Sequence, residues 1–375
     1  MRELRLIEAV CLVCGAGVGG GVMAVPYLAA NVGMWPTILI MLAAYLVTAT
    51  LHLMVAELSI RTECSSELLT VFSRHLFKNR RSFRIVFYVL MAITLICILA
   101  AYITGAGEIL ADLFSLPPVL ASILFFTLAA LVVFLGLKRI AMNEVAAIAV
   151  MLVLLSLLVI STVFLPEFQP LASANWEFLP ILAVYGMVMF SLSSLFSVPQ
   201  AAAGLRGNKS RLRIAVCLGL LINLIVTATI TLCVLVASNP VTEVAIIGWA
   251  GALGGYTRIL GSLFIVLAML TTFWSISLQL SDMTKEFFRA GRLPSWLAAT
   301  FPSLLLALLP LSGFLALMQI AGGATAVIVA VMAVPAYRNA VRGADGLLLG
   351  SPGKSRTLCG IIIAMYLLMA IASFV

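Results

Sequence analysis

The sequence predicts an all-α integral membrane protein of eleven transmembrane helices: two five-helix halves of opposite orientation and one extra helix. Three observations predict it. Only 10% of the 375 residues are charged and 63% are hydrophobic, against about 25% charged in a soluble domain. Apolar runs of about 20 residues, long enough to cross a bilayer as helix, recur along the whole chain. Lys and Arg, which leave a net charge of +8, gather in the stretches between alternate runs. In lipid a helix satisfies its own backbone polar groups, so every run is expected to be helical.

The first span, near 6–30, follows Arg2 and Arg5. Glu3 and Glu8 interrupt that basic head, and the run is too long and glycine-rich for a cleaved secretory signal. The second span, 35–60, leads into Arg61, Arg74, Lys78, Arg80, Arg81 and Arg84. Spans three and four, 84–111 and 118–136, precede Lys138 and Arg139. Spans five and six, 141–164 and 178–203, precede Arg206, Lys209, Arg211 and Arg213. Spans seven and eight, 212–236 and 256–282, precede Lys285, Arg289 and Arg292. Spans nine and ten, 296–312 and 314–336, precede Arg338, Arg342, Lys354 and Arg356, and span eleven covers 357–375.

With this count every Lys and Arg except Arg258 falls on the side of the N-terminus. The positive-inside rule then puts the N-terminus in the cytoplasm and the C-terminus outside a multi-pass cytoplasmic membrane protein. The other side carries Asp112, Glu167, Glu177 and Glu243. The basic charge is thus a topology signal, not a nucleic-acid footprint, and the bilayer is the partner it implies; a monomer is expected. No span holds Lys or Arg near its middle, which excludes voltage-sensor helices and argues against a cationic pore ring.

An odd number of spans per half inverts the second half, as in many secondary transporters. Residues 1–170 form the first repeat, 171–340 the second, and 341–375 a loop with the last span. The opening spans of the two halves share a pattern: GGGVMAVPYLAA (19–30) and SSLFSVPQAAA (193–203). Span one is centred near Val18 and span six near Ser191, so both weak points fall at the bilayer midplane. Glycine costs a helix about 1 kcal/mol relative to alanine, and proline about 3. Pro26 and Pro199 also lack the N–H that a helix would donate to Val22 and Leu195. Irregular backbone at that depth is tolerated only where it lines a cavity or is buried in protein. Close helix packing through small residues is the plain alternative; two interruptions opening two halves favour a binding site.

Gly15, Gly17 and Gly20 also spell G-x-G-x-x-G. A dinucleotide site needs a preceding strand, a soluble helix and an acid about 20 residues on. Here the glycines lie within a span and the next acid is Glu57, so no nucleotide cofactor is expected. Cys11 and Cys14 have redox or metal spacing, but no second pair or nearby His completes a site, so no metal is expected either. An enzyme is not expected: the chain has only His52 and His75, which cannot form H-E-x-x-H, and no carboxylate pair lies in the spans. An intramembrane enzyme or a channel of unknown substrate is the alternative reading, and no filter signature supports the channel.

GAGVGGGVMAVPYLAANVG (15–33) resembles the first helix of the aromatic and hydroxy amino acid permease branch of the amino acid–polyamine–organocation superfamily. AYITGAGEIL (101–110) resembles that branch's third helix, MVAELSIR (54–61) the inner end of its second, and TTFWSISLQLSDMTKEF (271–287) its eighth. The resemblance implies the fold of the bacterial leucine transporter, two inverted five-helix repeats plus one helix. It implies an ion-coupled symporter of neutral, including aromatic, amino acids working by alternating access. It implies that Gly19, Gly20 and Gly21 expose backbone amides to the substrate carboxylate. Carbonyls near Phe190, Ser191 and Ser193 would receive the ammonium group, and Tyr102 would close over the substrate. Backbone carbonyls of Gly15 and Val18, with the hydroxyls of Thr271, Thr272 and Ser275, match a sodium site. At the span-six break the branch often has glycine where this chain reads SLSSLFS (191–197), which leaves the side-chain specificity open.

The residues alone agree on substrate class. A midplane site without charged side chains suits a ligand whose charges cancel, and a neutral amino acid zwitterion pairs with amides and carbonyls at once. His52, in span two, titrates near neutral pH and is a candidate proton relay together with Glu57. The alternatives are a neutral His52 bonded to a neighbouring helix and a structural Glu57–Arg61 pair at i,i+4. Sodium and protons both stay open as coupling ion, and the resemblance favours proton symport.

Overall fold

The first apolar stretch does not run as one helix. In the computed structural model α1 (Leu6–Gly17) and α2 (Gly20–Ala29) meet at 51°. The structure describes residues 3–63, 68–76, 81–135, 140–171, 173–309, 313–342 and 346–375. Arg2, Lys78, Arg80, Lys138, Arg139 and Cys64 lie outside these residues.

The chain continues as α3 (Met34–Arg61), a short amphipathic α4 (Leu68–Leu76), α5 (Arg81–Phe114), α6 (Pro118–Leu135) and α7 (Ile140–Val163). The second half opens with α8 (Phe178–Ser191), six non-helical residues at 192–197, and α9 (Val198–Gly204). It goes on through α10 (Lys209–Ala237), a short α11 (Ala245–Leu253), α12 (Thr257–Phe288), α13 (Arg292–Ala307) and α14 (Phe314–Ile328). A π-helical turn, Val329–Ala333, joins α14 to α15 (Val334–Ala340). This turn absorbs Pro335, which has no N–H to continue an α-helical ladder. The last helix is α16 (Arg356–Ala372), capped by the Ser355 hydroxyl, which accepts from the Leu358 amide.

Helix occupies every apolar stretch read from the sequence. By length and composition, six helices among the described residues can cross a membrane, and the bent pair α1–α2 makes a seventh. The apolar helices at Pro118–Phe134, Phe178–Ser191 and Arg356–Ala372 are shorter. In α8 the cause is the break after Ser191. Helices α3, α5 and α6 are apolar on both faces: Leu46, Val86 and Leu128 are exposed beside a buried apolar core, the pattern of a span against lipid.

The interior forms around the interrupted helices. Helix α5 packs on α6, α12, α13 and α14, while α1 lies against α7 and α10. Helix α2 packs on α8 and α10, and α3 on α8, α9 and α10. At the N-terminal end of the bundle buried Glu57 takes the Arg61 Nε at 2.7 Å and the Leu348 amide at 2.9 Å. Lys209 approaches it to 3.9 Å and donates to the Gly346 carbonyl at 2.6 Å. The 346–348 segment is thereby tied to α3 and α10. At the opposite end Arg258 grips the Asp112 carboxylate with Nη2 at 2.7 Å and Nε at 3.1 Å. The one cation that departs from the charge pattern is therefore a paired one.

Candidate functional site

The break in the first stretch is short because its own backbone closes it. The Val18 amide still reaches Cys14 O at 3.0 Å, and the Gly19 amide turns back to Gly17 O at 2.9 Å. Gly19 caps α2 in an extended conformation, φ −138°, which any residue can adopt. The glycines are needed for close approach. A Cβ on Gly17 would overlap the Asn223 amide and one on Gly19 the Tyr102 hydroxyl. At Gly20 it would come within 2.7 Å of the Tyr102 ring, and at Gly21 within 3.0 Å of the Ser191 Cα. The glycine run is thus a surface on which Tyr102 and the α8 terminus rest.

Three glycine amides were expected to face a ligand. The structure removes Gly19, whose N–H is spent on Gly17. Gly20 and Gly21 open α2 as its first two residues, where helical amides lack an intrahelical acceptor and the dipole favours an anion. Tyr102 (4% exposed) lies over them, its hydroxyl accepting the Gly20 amide and meeting the Thr272 hydroxyl, so that Gly20 too is engaged.

The second break is held from outside. His52 on α3 has its Nδ1 2.6 Å from Thr48 O, an acceptor, so Nδ1 carries the proton. Its bare Nε2 accepts the Ser194 amide at 2.8 Å. Asn223 on α10 donates to Ser191 O at 2.9 Å, and Gln279 on α12 to Phe196 O at 3.0 Å. The Ser194 hydroxyl crosses to Val13 O at 2.7 Å and so links the two breaks. Of the carbonyls expected to take an ammonium group, Phe190 O already receives the Ser193 amide and Ser191 O the Asn223 amide. Among the described residues no protein hydrogen bond reaches Leu192 O or Ser193 O.

Between the breaks lies a narrow cavity of about 50 Å³, which must widen to hold a small molecule. Gly17, Gly21, Tyr102, Phe190, Ser191 and Ser193 line its midplane part. Ser197, Gln200, Ile276 and Gln279 carry it toward the end of the bundle that bears the N-terminus. Among the described residues no charged side chain lines it. Beside it a smaller cavity lies between α1, α7 and α12, lined by Gly15, Thr271, Thr272 and Ser275 together with Ile148 and Met151. Val18, the other carbonyl expected there, stands at the break and is not part of that lining. Thr271 and Thr272 both donate to Ala268 O, at 3.0 and 2.9 Å, and Thr272 also meets the Tyr102 hydroxyl.

His52 and Glu57, the candidate proton relay, are both engaged as the structural alternatives required. His52 is fully buried with both nitrogens bonded, so protonating Nε2 would expel the Ser194 amide. Glu57 is consumed by Arg61 and the Leu348 amide. Sequence reading missed Ser194, Gln200 and Thr325 as cavity residues. For Thr325 the available signal was a hydroxyl following Gly322 and Gly323 in a span whose other polar residue is Gln319.

Comparison with known proteins follows the same lines. The model of the tryptophan/tyrosine permease family matches residues 2–371. Tyrosine-specific transport system 1 of Haemophilus influenzae is 24% identical over 397 residues, covering 98% of this chain and 96% of that one. Glutamine transporter 2 of Aliivibrio fischeri is 26% identical over 337 residues, 85% of each chain. Among solved structures, MhsT in complex with L-phenylalanine superposes with a TM-score of 0.72 at 15% identity, covering 100% and 99% of the two chains. Mhp1, a nucleobase-cation-symport-1 family transporter, gives 0.66 at 12% identity, covering 99% and 91%. A manganese transporter of Eremococcus coleocola gives 0.66 at 18%, covering 98% and 84%. The fold is that of the leucine-transporter-like helical membrane proteins.

Proposed function

The chain belongs to the tryptophan/tyrosine permease family, and from that premise we propose how this amino acid permease, a secondary transporter and not an enzyme, handles its substrate. The substrate is a neutral aromatic amino acid, tyrosine foremost, in line with the family and the tyrosine-specific relative. The observation that carries this reading is the uncharged cavity between two helix interruptions. At one wall it offers Gly21, at the start of α2, and at the other Ser193, whose carbonyl takes no protein hydrogen bond among the described residues. An α-carboxylate and an α-ammonium group need just these two partners. Gly21 takes the carboxylate, Tyr102 covers it, and Phe190 and Ser191 border the side chain.

In this reading the chain crosses the cytoplasmic membrane eleven times, with residues 1–170 and 171–340 as inverted repeats, 341–375 adding the last span, and the N-terminus in the cytoplasm. The cavity then extends toward the cytoplasm, the direction of release after uptake. The coupling ion sits at Gly15, Thr271, Thr272 and Ser275, where hydroxyl and carbonyl oxygens suit a hard cation. His52 and Glu57 hold the scaffold rather than pass protons.

Purified protein in liposomes, a panel of labelled amino acids, and imposed sodium or proton gradients test this. Saturable tyrosine uptake that follows one gradient is expected. Absence of uptake or exchange of every neutral amino acid would overturn it.

A further inference from the structure

Five Ser and Thr side chains lining the central cavity are buried: Ser191, Ser194, Ser197, Thr272 and Thr325. Three have spent their hydroxyls. Ser194 donates to Val13 O, Ser197 to Ser194 O and Thr272 to Ala268 O. Ser191 (2% exposed) and Thr325 (1%) have no hydrogen-bond partner.

The Thr325 case is unusual within this molecule. A buried helical threonine ordinarily returns its hydroxyl to the carbonyl four residues back. Thr48, Thr227, Thr231, Thr272 and Thr284 all do so, at 2.7–2.9 Å. Thr325 forgoes that bond with Ala321 while lining the cavity. One turn earlier Gly322 lets Phe190 pack against α14, 3.5 Å from where a Cβ would stand. Thr325 therefore stands near Phe190 and Ser191, the end of α8. The cavity thus holds an aromatic ring and two unspent hydroxyls, each able to donate and to accept.

We propose that Thr325, together with Ser191, reads the polar tip of the substrate side chain, so that the permease selects tyrosine over phenylalanine. The inference rests on the functional reading above and adds the specificity that the serine-rich break left open in the sequence. Its physical basis is asymmetry. A phenol satisfies the two hydroxyls, whereas a phenyl ring seals them from water and leaves them unpaired, and sites built to bond a substrate hydroxyl reject the analogue without it.

The test is uptake of labelled tyrosine and phenylalanine, each in competition with the other, in proteoliposomes. Wild type should half-saturate with tyrosine at about tenfold or more lower concentration than with phenylalanine. Thr325→Val, nearly isosteric, should raise the tyrosine KM about tenfold. It should leave the phenylalanine KM unchanged or lower, and Thr325→Ser should keep the preference for tyrosine. A packing role would shift both substrates alike. Ser191→Ala provides a second variant should Thr325→Val fail to insert, with the same collapse of the ratio expected. An unchanged tyrosine-to-phenylalanine ratio in these variants, or a wild type that transports both equally, would overturn the inference while leaving the permease reading intact. A wild type that moves no neutral amino acid would overturn that reading and this inference with it.

Discussion

The two helix interruptions face each other across one cavity and are built by opposite means. Between α1 and α2 only Val18 and Gly19 are non-helical, and the local backbone satisfies the Val18 and Gly19 amides. Its glycines serve as a flat surface for neighbours. Between α8 and α9 the irregular stretch spans 192–197, and three other helices supply His52, Asn223 and Gln279 to hold it. A short break can be self-sufficient. A long one deep in a membrane leaves amides and carbonyls that the rest of the protein must satisfy, because lipid cannot. The first break should therefore be sensitive to added bulk, and the second to lost hydrogen bonds.

The largest effect is expected at the first break. Gly20→Leu would drive a side chain into the Tyr102 ring, already 2.7 Å from where the Cβ would stand. It should reduce tyrosine uptake by about fivefold to a hundredfold or more, given that overpacking of a close-packed site costs about 1–3 kcal/mol and occasionally more. Uptake normalised to reconstituted protein checks this, and normal transport would remove the glycine surface from the site.

Next comes the scaffold of the second break. His52→Ala leaves the Ser194 amide without an acceptor, and Asn223→Ala leaves the Ser191 carbonyl without that donor. Each should destabilise the protein by about 1–3 kcal/mol and lower Tm in detergent together with uptake. A His52 variant with wild-type Tm but altered dependence on the proton gradient would restore the relay role. Gln279→Ala should be mildest: its carbonyl partner Phe196 O borders the open cavity, so water can replace the amide. A few-fold rise in KM with unchanged Tm is expected, and a Tm loss equal to that of Asn223→Ala would show that all three ligands are equally structural.

Much of this was legible before any fold was known. The helical stretches follow from apolar runs, and the interruptions fall beside Gly19–Gly21 and Pro199, because lipid and helix geometry act on the sequence locally, whereas Pro26 is accommodated inside α2. The need for small residues was readable too, but not their purpose. That Gly17 admits Asn223 and Gly20 admits Tyr102 depends on residues far away in the chain. His52 shows the limit most clearly. A lone imidazole in an apolar span invites a proton relay, and only the positions of Thr48 O and the Ser194 amide turn it into a neutral prop.

By itself the sequence determined the membrane class, the helical runs, the charge asymmetry and the two weak points, each a property of composition or of a few consecutive residues. The tertiary structure decided which amides and carbonyls remain free, which hydroxyls are spent, and that Thr325 joins the cavity. Those outcomes depend on partners brought together from different helices, and hydrogen-bond satisfaction is a property of the assembled interior rather than of any one segment.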